Sequence, residues 1–148
     1  MLTPTLKLFF ERDLNKLKLE IESYQNEANI WRIEDAILNS SGNLCLHLIG
    51  NLNAFIGAEL GNTGYVRDRE FEFSGKQIPK RDLIEKIDHT LSMINSTLDS
   101  LNKEQLKQEY PKIIFKEKMS VEYFLIHLTT HLTYHLGQIN YHRRLLDK

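Results

Sequence analysis

Apolar residues return at helical spacing along almost the whole chain. Leu6, Phe9, Phe10, Leu14, Leu17, Ile21 and Tyr24 recur every three or four positions, which predicts an amphipathic helix over roughly 4 to 26, with Thr3-Pro4 as its cap and first-turn proline. A connection holding Trp31 follows, and this ring is expected to anchor the connection against the rest of the fold. The polar cluster Asn39-Ser40-Ser41-Gly42 then precedes Leu44, Leu48, Leu52, Phe55 and Ile56, the mark of a capped second helix ending near Gly61. Ile78-Pro79 opens a third helix through Leu83, Ile87, Leu91, Ile94 and Leu98. A short helical piece near Leu101 to Leu106 comes next, ended by Tyr110-Pro111. Ser120 caps the fourth helix, whose apolar members Val121, Phe124, Leu125, Leu128, Leu132, Leu136, Ile139 and Leu146 run almost to the C-terminus.

The pattern breaks between the second and third helices. From Asn62 to Gln77 glycines and charges mix, and Phe71 and Phe73 alternate with glutamates, so this stretch reads as a long functional loop or a short extended strip and not as a helix. Arg67 and Arg69 within it offer planar donors to a carboxylate, although such a strip commonly pairs with itself. Four long amphipathic helices and little else predict an all-α four-helix bundle with a long loop between helices two and three, built as one domain over residues 1–148.

Composition narrows the function classes. The apolar and charged fractions, 41% and 26%, are those of a globular chain with a sizeable core. A net charge of −1, from 19 basic and 20 acidic residues spread along the chain, leaves no footprint for nucleic acid or an anionic membrane, and neither is expected as a partner. No apolar run approaches the ~18 residues of a membrane span. One cysteine, Cys45, excludes an internal disulfide framework. With no secretory signal pattern at the N-terminus, a cytoplasmic location is expected.

The chemistry lies in histidines. His127, His131 and His135 follow one another at four-residue intervals, one helical turn each, and two imidazoles so placed can grip a divalent metal from one helix while a third ligand arrives from another. At ~100° per residue from Val121, the apolar stripe of the fourth helix spans about −60° to +60°. His135 falls near −40°, His142 near −60°, His131 near −80° and His127 near −120°, so His131 and His135 are the inward pair of the evenly spaced three. His47, on the second helix, is the candidate third corner and shares its strip with Gly50, Asn51, Ala54 and Ala58, whose small side chains leave room. One histidine on an amphipathic helix is ordinarily a hydrogen-bonded boundary residue, but three converging imidazoles would leave several polar nitrogens in need of buried partners. His89 and His142 read as surface or boundary residues, and His127 as a residue that orients a neighbour or faces the pocket mouth. Cys45, about 200° from His47, reads as core filler.

These residues also carry a resemblance. Leu46-His47-Leu48-Ile49-Gly50-Asn51-Leu52, together with Tyr123-Phe124-Leu125-Ile126-His127-Leu128 leading into His131-Leu132-Thr133-Tyr134-His135-Leu136-Gly137-Gln138-Ile139, resembles the DinB/YfiT-like superfamily over nearly the whole chain. That resemblance implies a four-helix fold, a divalent metal on His47, His131 and His135 with one coordination position open, and pairing as a homodimer. Several relatives transfer low-molecular-weight thiols such as bacillithiol or mycothiol, so the implied activity is a metal-dependent S-transferase taking a small-molecule thiol and an electrophile. A metal-dependent hydrolase and a non-enzymatic metal-binding or dimerising protein are the alternatives. Imidazole ligands suit zinc or nickel first, with manganese and iron also admitted. Such an ion would hold a thiol as thiolate or bring a bound water's pKa to about 7. Asn51, Gln138 and Glu122 are nominated as outer partners of the ligands. No general base is identified, so the catalytic residues stay unassigned.

Overall fold

The computed structural model describes residues 2–148, and over them the chain is all-α. Helix α1 spans Leu2–Glu22, α2 Ser41–Gly61, α3 Arg69–Ser74, α4 Lys80–Ser100, α5 Lys103–Lys107 and α6 Val121–Leu146. A single 3₁₀ turn, Glu27–Trp31, lies in the first connection. Helix α1 starts one residue ahead of the predicted cap, which puts Thr3 in its first turn with a buried, unpartnered hydroxyl. It also ends sooner than predicted, and Tyr24 is buried beyond it.

The long helices close a ring. Helices α1 and α2 each pack against both α4 and α6. Phe10, Leu14 and Leu17 of α1, Leu48, Leu52 and Ile56 of α2, Leu83, Ile87 and Ile94 of α4, and Phe124, Leu125, Leu132 and Ile139 of α6 fill the space between them. Removing this apolar surface from water is the main force holding the helices together. Every residue of Ser41–Leu52 is buried. By length and composition, α2 is therefore the one helix among the described residues apolar enough to cross a membrane, contrary to the sequence expectation that no run comes near. Its apolar character is spent on the protein's own core.

The start of α2 is built with care. Ser40 Oγ accepts the Asn43 backbone N–H at 3.1 Å, satisfying one of the free donors of the first turn. Asn43 Nδ2 then donates to the carbonyls of Glu72 and Gly75 at 3.0 and 2.8 Å, which moors α3 against α2. The Trp31 ring lies over Gly42 so closely that a Cβ there would sit 2.5 Å from it, so Trp31 does anchor the first connection. Toward its C-terminal end α2 widens into a π-helical stretch, Asn53–Ala58, and stops at Asn62 in the left-handed conformation (φ 50°).

The segment after α2 departs from the sequence reading. Phe71 and Phe73 belong to the helical turn α3 and not to an extended strip. Asp68 caps it, its carboxylate accepting the Phe71 N–H at 3.0 Å, and the chain leaves it at Gly75. The alternation of aromatics and glutamates reflects a single turn that buries Glu72 and leaves both phenylalanines half outside.

Candidate metal centre

Three imidazoles meet between α2 and α6. His131 Nε2 lies 3.3 Å from His47 Nε2 and 3.1 Å from His135 Nε2, and the three ligand atoms fall within 4.8 Å of one another. The rings stand edge to face, with centroids 4.6 to 5.2 Å apart. His131 and His135 come together because one helical turn separates them, and His47 joins them because α2 packs directly on α6.

The outer nitrogens decide what the inner ones present. His47 Nδ1 donates to Glu72 Oε1 at 3.0 Å, and His135 Nδ1 donates to Gln138 Oε1 at 2.7 Å. A neutral imidazole has one N–H, so both Nε2 atoms then carry lone pairs aimed at the centre of the trio. His131 Nδ1 is buried without a partner. Burial pushes the His131 imidazole down to about 4, with the neighbouring His135 and His47 adding to the effect. Burial also lowers His47 from its ordinary value, against the opposing pull of Glu72. Both are therefore neutral near pH 7, and at most one N–H faces the lone pairs of the other two rings.

That arrangement fits a divalent ion. Nitrogens about 2.0–2.1 Å from a tetrahedral ion lie about 3.3 Å apart, which matches the two closest separations here. With at most one N–H among the three inner nitrogens, His131 cannot fully satisfy both neighbours, whereas with its proton on Nδ1 all three Nε2 lone pairs converge as a donor set that a cation would complete.

The remaining predicted residues divide. Gln138 is an outer partner as nominated, whereas Glu122 and Asn51 make no bond to the trio, and Asn51 Oδ1 is buried and unpaired. The carboxylate beside His47 is Glu72, 3% exposed, which the sequence reading missed because it lies 25 residues away on the segment read as a loop. Arg67 does meet a carboxylate, but Glu72 in its own segment: Nε and Nη2 donate to Oε2 and Oε1 at 2.8 and 2.9 Å. Arg69 lies over the Phe73 ring instead. His127 sits between Phe115 and Phe124 and stacks against the His131 ring, centroids 6.4 Å apart, without bringing a nitrogen into the trio. Cys45 is fully buried and its thiol is pushed up to about 12, the filler it was read as. His89 is exposed as expected.

His142 is a correction. It is not a surface residue but 3% exposed, with Nε2 donating to the Arg32 carbonyl and Nδ1 facing the Tyr24 hydroxyl, both at 2.7 Å. A groove of about 640 Å³ runs along α6 past His135 and Gln138, lined by Leu38, Leu44, Tyr134 and Tyr141 and without a charged side chain.

A family model described as "Protein of unknown function (DUF1572)" matches residues 10–148. No curated protein matches the chain. Among solved structures, the crystal structure of a conserved protein from Enterococcus faecalis superposes with a TM-score of 0.78, covering 99% of this chain and 97% of that one. Identity is 16%, so the likeness is one of fold.

Proposed function

This chain belongs to the DUF1572 family, and we propose that it is a DinB-like four-helix bundle whose centre holds a divalent metal on His47, His131 and His135 and transfers a low-molecular-weight thiol. The observation that carries the reading is the convergence of three Nε2 atoms at 3.1 and 3.3 Å with their outer nitrogens turned away. Zinc or nickel suits three imidazoles best. Bound there with one position open, such an ion would supply Lewis acidity and keep a thiol deprotonated near neutral pH.

The chain's own residues favour transfer over hydrolysis. The three ligands are imidazoles, which bring no negative charge of their own, and the one buried carboxylate beside them, Glu72, is matched by Arg67, so the centre is suited to an anionic sulfur. Hydrolysis with general-base assistance would need a free carboxylate, and Glu72 has both oxygens engaged by His47 and Arg67, so a hydrolytic reading would rest on the ion's activation of water alone. In the transfer, a sulfur–carbon bond forms as the bond from that carbon to its leaving group breaks. The leaving group departs with the electron pair, and the thiol proton passes to solvent. The uncharged groove beside His135 offers space for an apolar electrophile. Pairing as a homodimer belongs to the same reading.

A panel of small thiols with a chlorinated aromatic electrophile, assayed on zinc- or nickel-loaded protein, tests this function. Thioether formation that disappears in His131→Ala is expected. Tight metal binding without turnover across the panel would make the protein a metal-dependent binding module instead.

A further inference from the structure

The seat of His47 is unlike that of the other two ligands. His131 has no outer partner, and His135 leans on Gln138 of its own helix, a half-exposed neutral contact one turn away. His47 instead meets a buried carboxylate delivered from a separate element, α3, and that carboxylate is itself gripped on both oxygens by Arg67. Arg67 Nη2 also comes within 3.4 Å of His47 Nδ1, but a guanidinium only donates, and its 2.9 Å bond to Glu72 Oε1 is the one it makes. The Arg67 guanidinium rests on the Phe55 ring 5.5 Å away, so the pair is held from below as well.

Room for this carboxylate is made by a glycine. Gly50 stands one turn after His47 on the same face of α2, and a Cβ there would lie 2.1 Å from Glu72 Oε2 and 2.5 Å from its carboxyl carbon. Glycine in the middle of a buried helix costs roughly 1 kcal/mol relative to alanine. At position 50 the space it leaves is filled by Glu72.

We propose that Glu72 is the positioning residue of the metal centre: seated in the notch at Gly50 and clamped by Arg67, it fixes His47 as the Nδ1–H tautomer and turns its Nε2 lone pair toward His131 and His135. The proposal rests on the metal reading above for its purpose, but its geometry concerns the metal-free protein as well. A carboxylate behind a ligating imidazole sets the ring's orientation and raises its basicity, and losing such a partner typically lowers metal affinity about 10–100-fold. Segment 62–77 then belongs to the centre through Arg67 and Glu72, although neither is a ligand.

The test uses the full chain and zinc as the probe. Zinc affinity is measured by competition with a chromophoric chelator, and the His47 tautomer by long-range ¹H–¹⁵N correlation in the metal-free protein, for wild type, Glu72→Gln, Glu72→Ala and Gly50→Ala. Wild type should show His47 protonated at Nδ1. Glu72→Ala should lose about 10–100-fold in affinity. Glu72→Gln, whose amide oxygen still accepts the Nδ1–H, should restore both the tautomer and part of the affinity. Gly50→Ala, which favours the helix and touches no ligand, should behave like Glu72→Ala because its methyl evicts the carboxylate. Wild-type affinity and an unchanged tautomer in both Gly50→Ala and Glu72→Ala would overturn the proposal. Should Glu72→Ala fail to fold, Gly50→Ala and Glu72→Gln still decide it. Absence of zinc binding in wild type would sink the metal reading, while a tautomer that shifts in Gly50→Ala would still uphold the positioning.

Discussion

Helix α6 carries two sets of inward-facing histidines, the buried His142 and the half-buried His131 and His135, that differ in where their polar atoms go. Near its C-terminal end, His142 has a protein partner on each ring nitrogen, the Arg32 carbonyl on one side and the Tyr24 hydroxyl on the other, and Tyr24 Oη pairs in turn with Ser41 Oγ at 2.7 Å. That network is closed and joins α2, α6 and the first connection. Two and three turns earlier, His135 and His131 meet His47 with three Nε2 atoms facing one another and at most one proton among them to share. Burial alone therefore says little about a histidine's role. Convergence of ring nitrogens with too few protons for each to be paired is what separates a site from a brace.

Replacing one residue from each set should break the comparison most sharply. His131→Ala is expected to lose zinc affinity by more than the ~100-fold typical of an outer partner, while His142→Ala keeps it within a few-fold, as read by chelator competition. The order reverses for folding. His142→Ala takes one partner from the buried Tyr24 hydroxyl, which keeps Ser41, removes the partner of the Arg32 carbonyl and empties a buried ring's space. It should cost about 2–4 kcal/mol in denaturant unfolding of the metal-free protein, against about 1 kcal/mol or less for His131→Ala. Equal effects of the two substitutions on both readouts would erase the distinction.

Acid should weaken both sets together. His131 titrates near 4 in the folded chain against 6.5 unfolded, and His47 and His142 are lowered in the same direction by burial. Between those values the unfolded chain binds more protons, so the stability of the metal-free protein is full above about pH 6.5 and declines as pH falls toward 4. Denaturant midpoints at pH 7.5 and 5 should show that fall, and a flat or opposite trend would contradict the buried neutral state. The smallest effect belongs to Cys45, which resembles His142 in being purely internal. Its thiol should resist alkylation in native protein, and Cys45→Ala should leave zinc affinity unchanged.

The long helices were legible because their apolar residues keep a 3.6 period over many turns, and Ser40 and Ser120 mark their starts as caps. The inward pair His131 and His135 followed from the same arithmetic. His142 was misread although its angle put it nearer the core stripe than His131, because its partners, Tyr24 and the Arg32 carbonyl, lie more than a hundred residues away. Segment 62–77 was hardest, since one short helical turn carries too few residues for a period to emerge and its Phe-Glu alternation imitates a strand. Two local signals were present, Asp68 three residues before a backbone N–H it caps and Gly75 at the turn's end. The notch at Gly50 was readable as empty space beside His47, but not the carboxylate that fills it.

Elemental analysis of protein purified without a metal-affinity tag, beside His47→Ala, His131→Ala, His135→Ala and His142→Ala, tests the central claim most directly. Near-stoichiometric divalent metal, zinc or nickel first, is expected in wild type and in His142→Ala, and none in the other three variants. Wild-type protein that takes up no divalent ion even when zinc and nickel are supplied, or a trio variant that keeps its metal, would contradict it.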